Sequence, residues 1–229
     1  MARDRALSFG SSYRRKRFAL IKRMIDDIVS RKGSCSIIDV GGEYDYWKPF
    51  LPELADTPIK VLMCNLDDRS IAFDDPRFSA RYTNACDLGF ATDMSYDLAH
   101  SNSVIEHVGR WPEMLAMAKE IRRVAPSYYV QTPYYWFPME PHFRTIGYQW
   151  LPEQWRARLH TRFELGYFSR AENFETGMHW TQHAVLLDKL QMTTLFPDAK
   201  LHSERDFGLT KSMVMIRDGV GAQPAGVAS

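Results

Sequence analysis

Cysteine is scarce in this chain: Cys35, Cys64 and Cys86 stand alone in 229 residues, with no close pair and no metal-knuckle spacing. An odd, scattered set reads as reduced thiols and a cytoplasmic location, and it excludes a disulfide framework. No apolar run approaches the roughly 18 residues that span a bilayer. The opening MARDRALSFGSSYRRKR lacks the apolar centre of a secretory signal. An excess of either charge is missing too, because 29 Lys and Arg face 28 Asp and Glu, for a net +1. Duplex-DNA binders need a basic surplus for their phosphate contacts, so that class is set aside. The dinucleotide fingerprint G-x-G-x-x-G, the phosphate loop G-x-x-x-x-G-K-[ST] and the hydrolase elbow G-x-S-x-G are all absent, and no repeat is visible.

What is present is an ordinary globular composition, 45% hydrophobic and 25% charged, at a length that suits one domain. Residues 1–12 are polar and read as mobile. Over 13–30, Phe18, Ile21, Ile25 and Ile28 recur at helical spacing, and Gly33 follows as a stop. The basic side chains around that stripe read as a solvated face, with contact to an anionic substrate as the weaker reading. Apolar runs at 37–40, 59–66, 78–83, 96–102 and 128–132 read as five strands. A helix is predicted at 111–124, with Met114, Met117, Ala118, Ile121 and Val124 on one face. The alternation predicts an α/β fold, a doubly wound, mostly parallel sheet with right-handed crossovers. A helix at 184–195 and a hairpin of 201–206 and 209–217 complete the pattern, and 219–229 reads as a frayed tail.

Between Pro133 and Trp180 the rhythm breaks. Four prolines and thirteen of the thirty aromatics lie there without a long periodic segment. This reads as a cap within a single domain spanning 1–229. Its aromatics either make a core of their own or face a substrate as a lid.

Ligands of such sheets bind outside the carboxyl ends of the strands. The first strand exits through Asp39, Gly41 and Gly42, a carboxylate followed by a turn free to approach a ligand. The second ends at Asn65 and Leu66, with Asp67 and Asp68 beyond; an acceptor here suits a ribose diol. The third leads to Asn84 and Asp87, either of which suits an adenine amino group. The fourth ends in Ser101, Asn102 and Ser103. Polar groups at four successive exits describe a nucleoside-type pocket.

The segment S-N-S-V-I-E-H-V at 101–108, with the glycine turn after Val40, resembles the class I S-adenosylmethionine-dependent methyltransferases over about residues 35–132. Q-T-P-Y-Y-W-F-P-M-E-P-H-F is similar to a continuation found in one bacterial branch of that group. The resemblance implies a seven-stranded sheet with an antiparallel edge, and S-adenosyl-L-methionine as cofactor. It implies that Asp39, Gly41 and Gly42 hold the methionine portion, Asn65 the ribose, and Asn84 or Asp87 the adenine. It implies also that Ser101, Asn102 and Ser103 lie under the cofactor and the acceptor. Departures are Glu43 and Asp45 in place of the later glycines, and an amide in place of the ribose acid.

Methyl transfer needs a base only where the acceptor must lose a proton. His107, at the fourth exit, and His142, after the fifth strand, are the candidates. The plainer reading makes each a turn-ordering group. His179 and His183 have a metal-like i,i+4 spacing but no evident third ligand, so no metal is expected. Tyr134, Tyr135, Trp136, Phe137, Phe143, Tyr148 and Trp150 are expected to wall a small-molecule or glycan- or lipid-linked acceptor, methylated first of all at oxygen. RNA is a minor reading, because only Arg144 accompanies these aromatics. The rival from another class is a degenerate, non-catalytic methyltransferase-like binding module.

Overall fold

The computed structural model describes residues 2–66 and 73–219, with side chains from Tyr13 onward. Helix α1 runs from Ala2 to Lys32, so the polar start predicted to be mobile continues the helix. One interior glycine costs a helix only about 1 kcal/mol, and Arg3, Arg5, Ala6 and Leu7 before it and Arg14 to Arg17 after it are good helix formers. Gly33 ends it at φ +80, its N–H bonded to Val29 O at 2.8 Å. Phe18, Ile21, Met24, Ile25 and Ile28 are buried, each contributing roughly 1.5–3 kcal/mol.

Strands β1 (Cys35–Val40), β2 (Ile59–Asn65), β3 (Phe78–Tyr82), β4 (Leu98–Asn102) and β5 (Ser127–Pro133) are parallel. The final hairpin, β8 (Lys200–Asp206) and β9 (Leu209–Arg217), adds antiparallel strands beside β5. The seven-stranded order is β3-β2-β1-β4-β5-β9-β8. It reverses between β1 and β4, and register there sets Asp39 beside His100. Ile37 packs on the face covered by α1, short α2 (Tyr44–Trp47) and the 3₁₀ turn Lys48–Leu54. Ile38 packs on the other, under α3 (Trp111–Val124) and α6 (Lys189–Leu195). β3 buries only Phe78 and forms the edge.

Two expectations need correction. The helix predicted at 184–195 starts at Lys189, because Asp188 caps it by accepting from Gln191 N. Residues before that cap run extended instead, with Leu187 bridging Tyr134. The cap also holds more regular structure than predicted: a hairpin of β6 (Met139–Glu140) and β7 (Thr145–Ile146), then α4 (Glu153–His160) and α5 (Phe174–Thr181).

The first helix is fastened to the last hairpin. Arg17 Nε donates to both carboxylate oxygens of Glu204, at 3.0 and 2.8 Å, and its Nη2 donates to Ser212 Oγ at 3.1 Å. Among the described residues, no helix is long and apolar enough to cross a membrane. The tail from Val220 and the carboxylates Asp67 and Asp68 lie outside the described residues.

Candidate functional site

The turn after β1 is shaped by contacts within the protein. Gly41 sits at φ +76 and donates its N–H to Cys64 O at 2.6 Å; a Cβ there would lie 2.4 Å from a Val104 methyl. At Gly42 an added Cβ would lie 1.9 Å from Asp39 Oδ2. The fully buried Asp39 carboxylate is held on both oxygens. Trp47 Nε1 donates to Oδ2 at 2.7 Å, and His100 Nδ1 contacts Oδ1 at 2.6 Å. Asp39 therefore fixes the turn, while the exposed Glu43 and Asp45 carboxylates face the space above it.

Two chambers open at the strand ends, sharing Gly41, Glu43 and Ser103. The smaller, about 300 Å³, is bounded by Arg14, Glu43, Asp45, Tyr46 and Asn102 over the glycine turn. The larger, about 530 Å³, has Cys64, Leu66, Ala85 and Val108 as apolar wall and Asn65 and Asn84 as polar groups. Ser103 stands between them at φ +56, a left-handed conformation rare outside glycine. Its Oγ donates to Gln131 Oε1 at 2.8 Å.

Most of the sequence-derived residues meet here. Asn102 Oδ1 is buried without a partner at the smaller chamber. Asn65 Oδ1 already accepts from Leu66 N at 2.7 Å, leaving one lone pair. Asn84 lines the larger chamber; Asp87 does not, and instead accepts from Gly89 N at 3.1 Å to close its own turn. Ser101 is fully buried and lines neither chamber. Sequence reasoning missed His100 and Trp47. A histidine in the apolar run Leu98–Asn102 was the available signal. Arg14, from the basic run read mainly as solvated, borders the smaller chamber.

His107 and His142 come together beyond the larger chamber, which His107 and His183 line. Their Nε2 atoms are 3.2 Å apart. His107 Nδ1 donates to His183 O at 2.9 Å, and His142 Nδ1 contacts Glu140 Oε1 at 2.7 Å. Glu106 is fully buried; Thr132 Oγ1 donates to its Oε2 at 3.0 Å, and its Oε1 has no partner. Desolvation pushes the Glu106 carboxyl up to about 7. Burial lowers the His107 pKa, only partly opposed by the His183 carbonyl. Burial acts the same way on His142, but the hydrogen bond and charge of Glu140 outweigh it and raise its pKa.

The aromatics expected to wall the acceptor line neither chamber. Phe143 and Tyr148 are buried against each other and His160, with Phe168 beside them, as the core of the cap. Tyr148 Oη and His160 Nε2 are hydrogen-bonded at 2.8 Å, and burial lowers that histidine to about 4.

No family model matches the chain, and no curated protein matches its sequence. Solved structures match its shape. In the complex between the Haloferax volcanii Trm112 methyltransferase activator and the putative methyltransferase, a chain aligns at 11% identity and TM-score 0.51, over 91% of this chain and 95% of that one. A putative Zn-dependent alcohol dehydrogenase from Rhodobacter sphaeroides aligns at 8% identity and TM-score 0.54, over 80% and 83%. A SAM-dependent methyltransferase from Aquifex aeolicus aligns at 10% identity and TM-score 0.45, over 80% of each chain. The fold is the Rossmann-like methyltransferase fold. Within this methyltransferase fold the two chambers sit at the strand-order reversal, where open α/β sheets bind their ligands.

Proposed function

We propose that the chain is an S-adenosylmethionine-dependent methyltransferase, acting at oxygen on a small-molecule or glycan- or lipid-linked acceptor. The observation that carries this reading is the pair of joined chambers with matching chemistry. An amino-acid headgroup carries both charges. Arg14 suits its carboxylate, and Glu43, Asp45 and the unpartnered Asn102 Oδ1 suit its ammonium and the neighbouring sulfonium. Apolar walls with Asn65 and Asn84 suit a ribose and an adenine. The S-N-S-V-I-E-H-V segment supports the same assignment by resemblance.

When bound, S-adenosylmethionine supplies a methyl group on a sulfonium, whose departure as a neutral thioether needs no acid. The chain's work is then chiefly to hold donor and acceptor in line. Asp39, locked by Trp47 and His100, fixes the turn; Ser103, locked by Gln131, fixes the junction of the chambers. His107 and His142 are the polar groups on the acceptor side.

Calorimetric titration with S-adenosylmethionine and S-adenosylhomocysteine tests the reading. Binding by the wild type, lost in a folded Gly41→Val variant, supports it; no affinity for either at millimolar concentration overturns it. A non-catalytic binding module is the second reading. It is favoured by Asn65, a neutral acceptor already partly engaged, where the family has an acid. Cofactor binding without methyl transfer to any acceptor in a cell extract would favour that module.

A further inference from the structure

The contacts around His107 and His142 leave an electron-rich hole. A carbonyl only accepts, so His107 Nδ1 carries the hydrogen toward His183 O, and in the neutral ring Nε2 is a lone pair. Glu140 likewise holds a hydrogen on His142 Nδ1, so that whenever this ring is neutral its Nε2 is a second lone pair. The two face each other at 3.2 Å with ring planes at 87°. A carboxylate oxygen of Glu106 converges on the same point, all three ligand atoms lying within 4.8 Å of one another. Glu106 Oε1 is buried and has no partner in the protein. Three such donors directed at one point are met either by a proton or by a metal ion.

The spacing suits a metal. Tetrahedral zinc with bonds of about 2.1 Å places its ligand atoms about 3.4 Å apart, close to the 3.2 Å between the rings. Glu106 needs to close at most about 1.4 Å to complete that geometry, within the swing of a side chain. The outer contacts follow the pattern of metal-bound histidine, whose second nitrogen donates to a carboxylate or a carbonyl. Glu140 is itself anchored, its Oε2 accepting from Phe143 N at 2.6 Å. Two imidazoles and one carboxylate are a donor set for zinc with one position open.

We propose that Glu106, His107 and His142 bind one divalent transition ion of the zinc class, with the open position toward the larger chamber that His107 lines. An ion there polarises an acceptor oxygen. That use rests on the methyltransferase reading; the binding of the ion does not.

The test is made on the full chain after chelation. Zn²⁺ is titrated against a chromogenic competitor, and Co²⁺ loading is followed by visible absorption. One ion per chain and the intense bands of four-coordinate Co²⁺ are expected. Glu140→Gln should lose about 10–100-fold in affinity as an outer partner, and His142→Ala and Glu106→Gln should lose more. His107→Asn removes the ring ligand while keeping an N–H for His183 O, so its loss of binding is not a loss of that hydrogen bond. His179→Ala should bind as wild type. Circular dichroism shows that each variant is folded. Absence of stoichiometric Zn²⁺, or equal affinity in wild type and His142→Ala, overturns the proposal and leaves a proton shared between the rings. S-adenosylhomocysteine titrated separately keeps the two readings apart: its binding without Zn²⁺ binding removes only the metal, and the reverse removes only the methyltransferase.

Discussion

Replacing Gly42 with Ala places a Cβ 1.9 Å from Asp39 Oδ2 and 2.1 Å from its Cγ, where ordinary contacts are about 3.5–4.0 Å. Asp39 is held in the sheet interior by register with Met63 and His100, so its Cα cannot retreat and the carboxylate must swing away from Trp47 and His100. Each of those hydrogen bonds to a charged group is worth roughly 1.5–3 kcal/mol, which places the loss at about 3–6 kcal/mol. Taking about 3 kcal/mol as the minimum, Tm should fall by roughly 6–12 °C for a chain of this size. Gly33→Ala is the comparator: φ is +80 but nothing lies within 4 Å of the new Cβ, so only the left-handed backbone penalty of about 1–2 kcal/mol applies. Urea unfolding of both variants by linear extrapolation gives the difference. In an Asp39→Ala background the collision is gone, and the additional effect of Gly42→Ala should shrink below about 1 kcal/mol, a coupling only touching residues show. If Gly42→Ala proves no more destabilising than Gly33→Ala, or adds fully to Asp39→Ala, the argument that this glycine exists for the carboxylate is wrong.

Asn65→Leu should weaken S-adenosylhomocysteine binding by about 1–2 kcal/mol through an unpaired hydroxyl, and Asn65→Asp should preserve or tighten it; calorimetry checks both. His142→Ala should lower methyl transfer by about 10²–10⁴-fold while cofactor affinity stays unchanged, so an equal fall in both would place His142 in the cofactor pocket instead. Glu120 is held below its ordinary pKa chiefly by hydrogen bonds from Arg123, which also binds Leu88 O and Ala91 O. A lowered carboxylate gives stability that is present above its unfolded pKa and lost as pH falls through the folded one. Glu120→Gln should therefore destabilise at neutral pH and flatten the decline below about pH 4.3, as read from urea midpoints against pH.

The sheet was legible because its signals are local: apolar runs such as Ile59–Asn65 and the five-residue stripe of α3 need no distant partner to be read. The site was legible as far as strand exits carry it, which brought Asn65, Asn84, Asn102 and Ser103 into one place. What escaped depends on register and on contacts across the chain. His100 meets Asp39 because β1 and β4 pair, and no spacing in the sequence states that pairing. Asp87 and Asn84 have similar chemistry three residues apart, and only the local turn decides which lines the chamber. The cap's aromatics were dense enough for a core or a lid, and composition does not choose between them: Phe143 and Tyr148 pack on His160, and with Tyr135 they also line a small cavity of the cap. Glu106 and Glu140 stood beside the two histidines in sequence, yet their convergence needed the fold.

The link from Arg17 to Glu204 and Ser212 spans nearly the whole described chain, and its consequence lies in synthesis. As the polypeptide leaves the ribosome, α1 can cover β1, β2 and β4 early. β5, however, lacks its outer neighbour until β9 is made, because β9 pairs along it from Tyr128 to Pro133. Until then the part-buried Arg17 guanidinium lacks Glu204, and the outer edge of β5 stays open. Such long-range closure slows folding and leaves a partly built sheet open to association with its own kind. Ribosome stalls placed just before and just after β9 emerges should separate a protease-sensitive nascent chain from a resistant one.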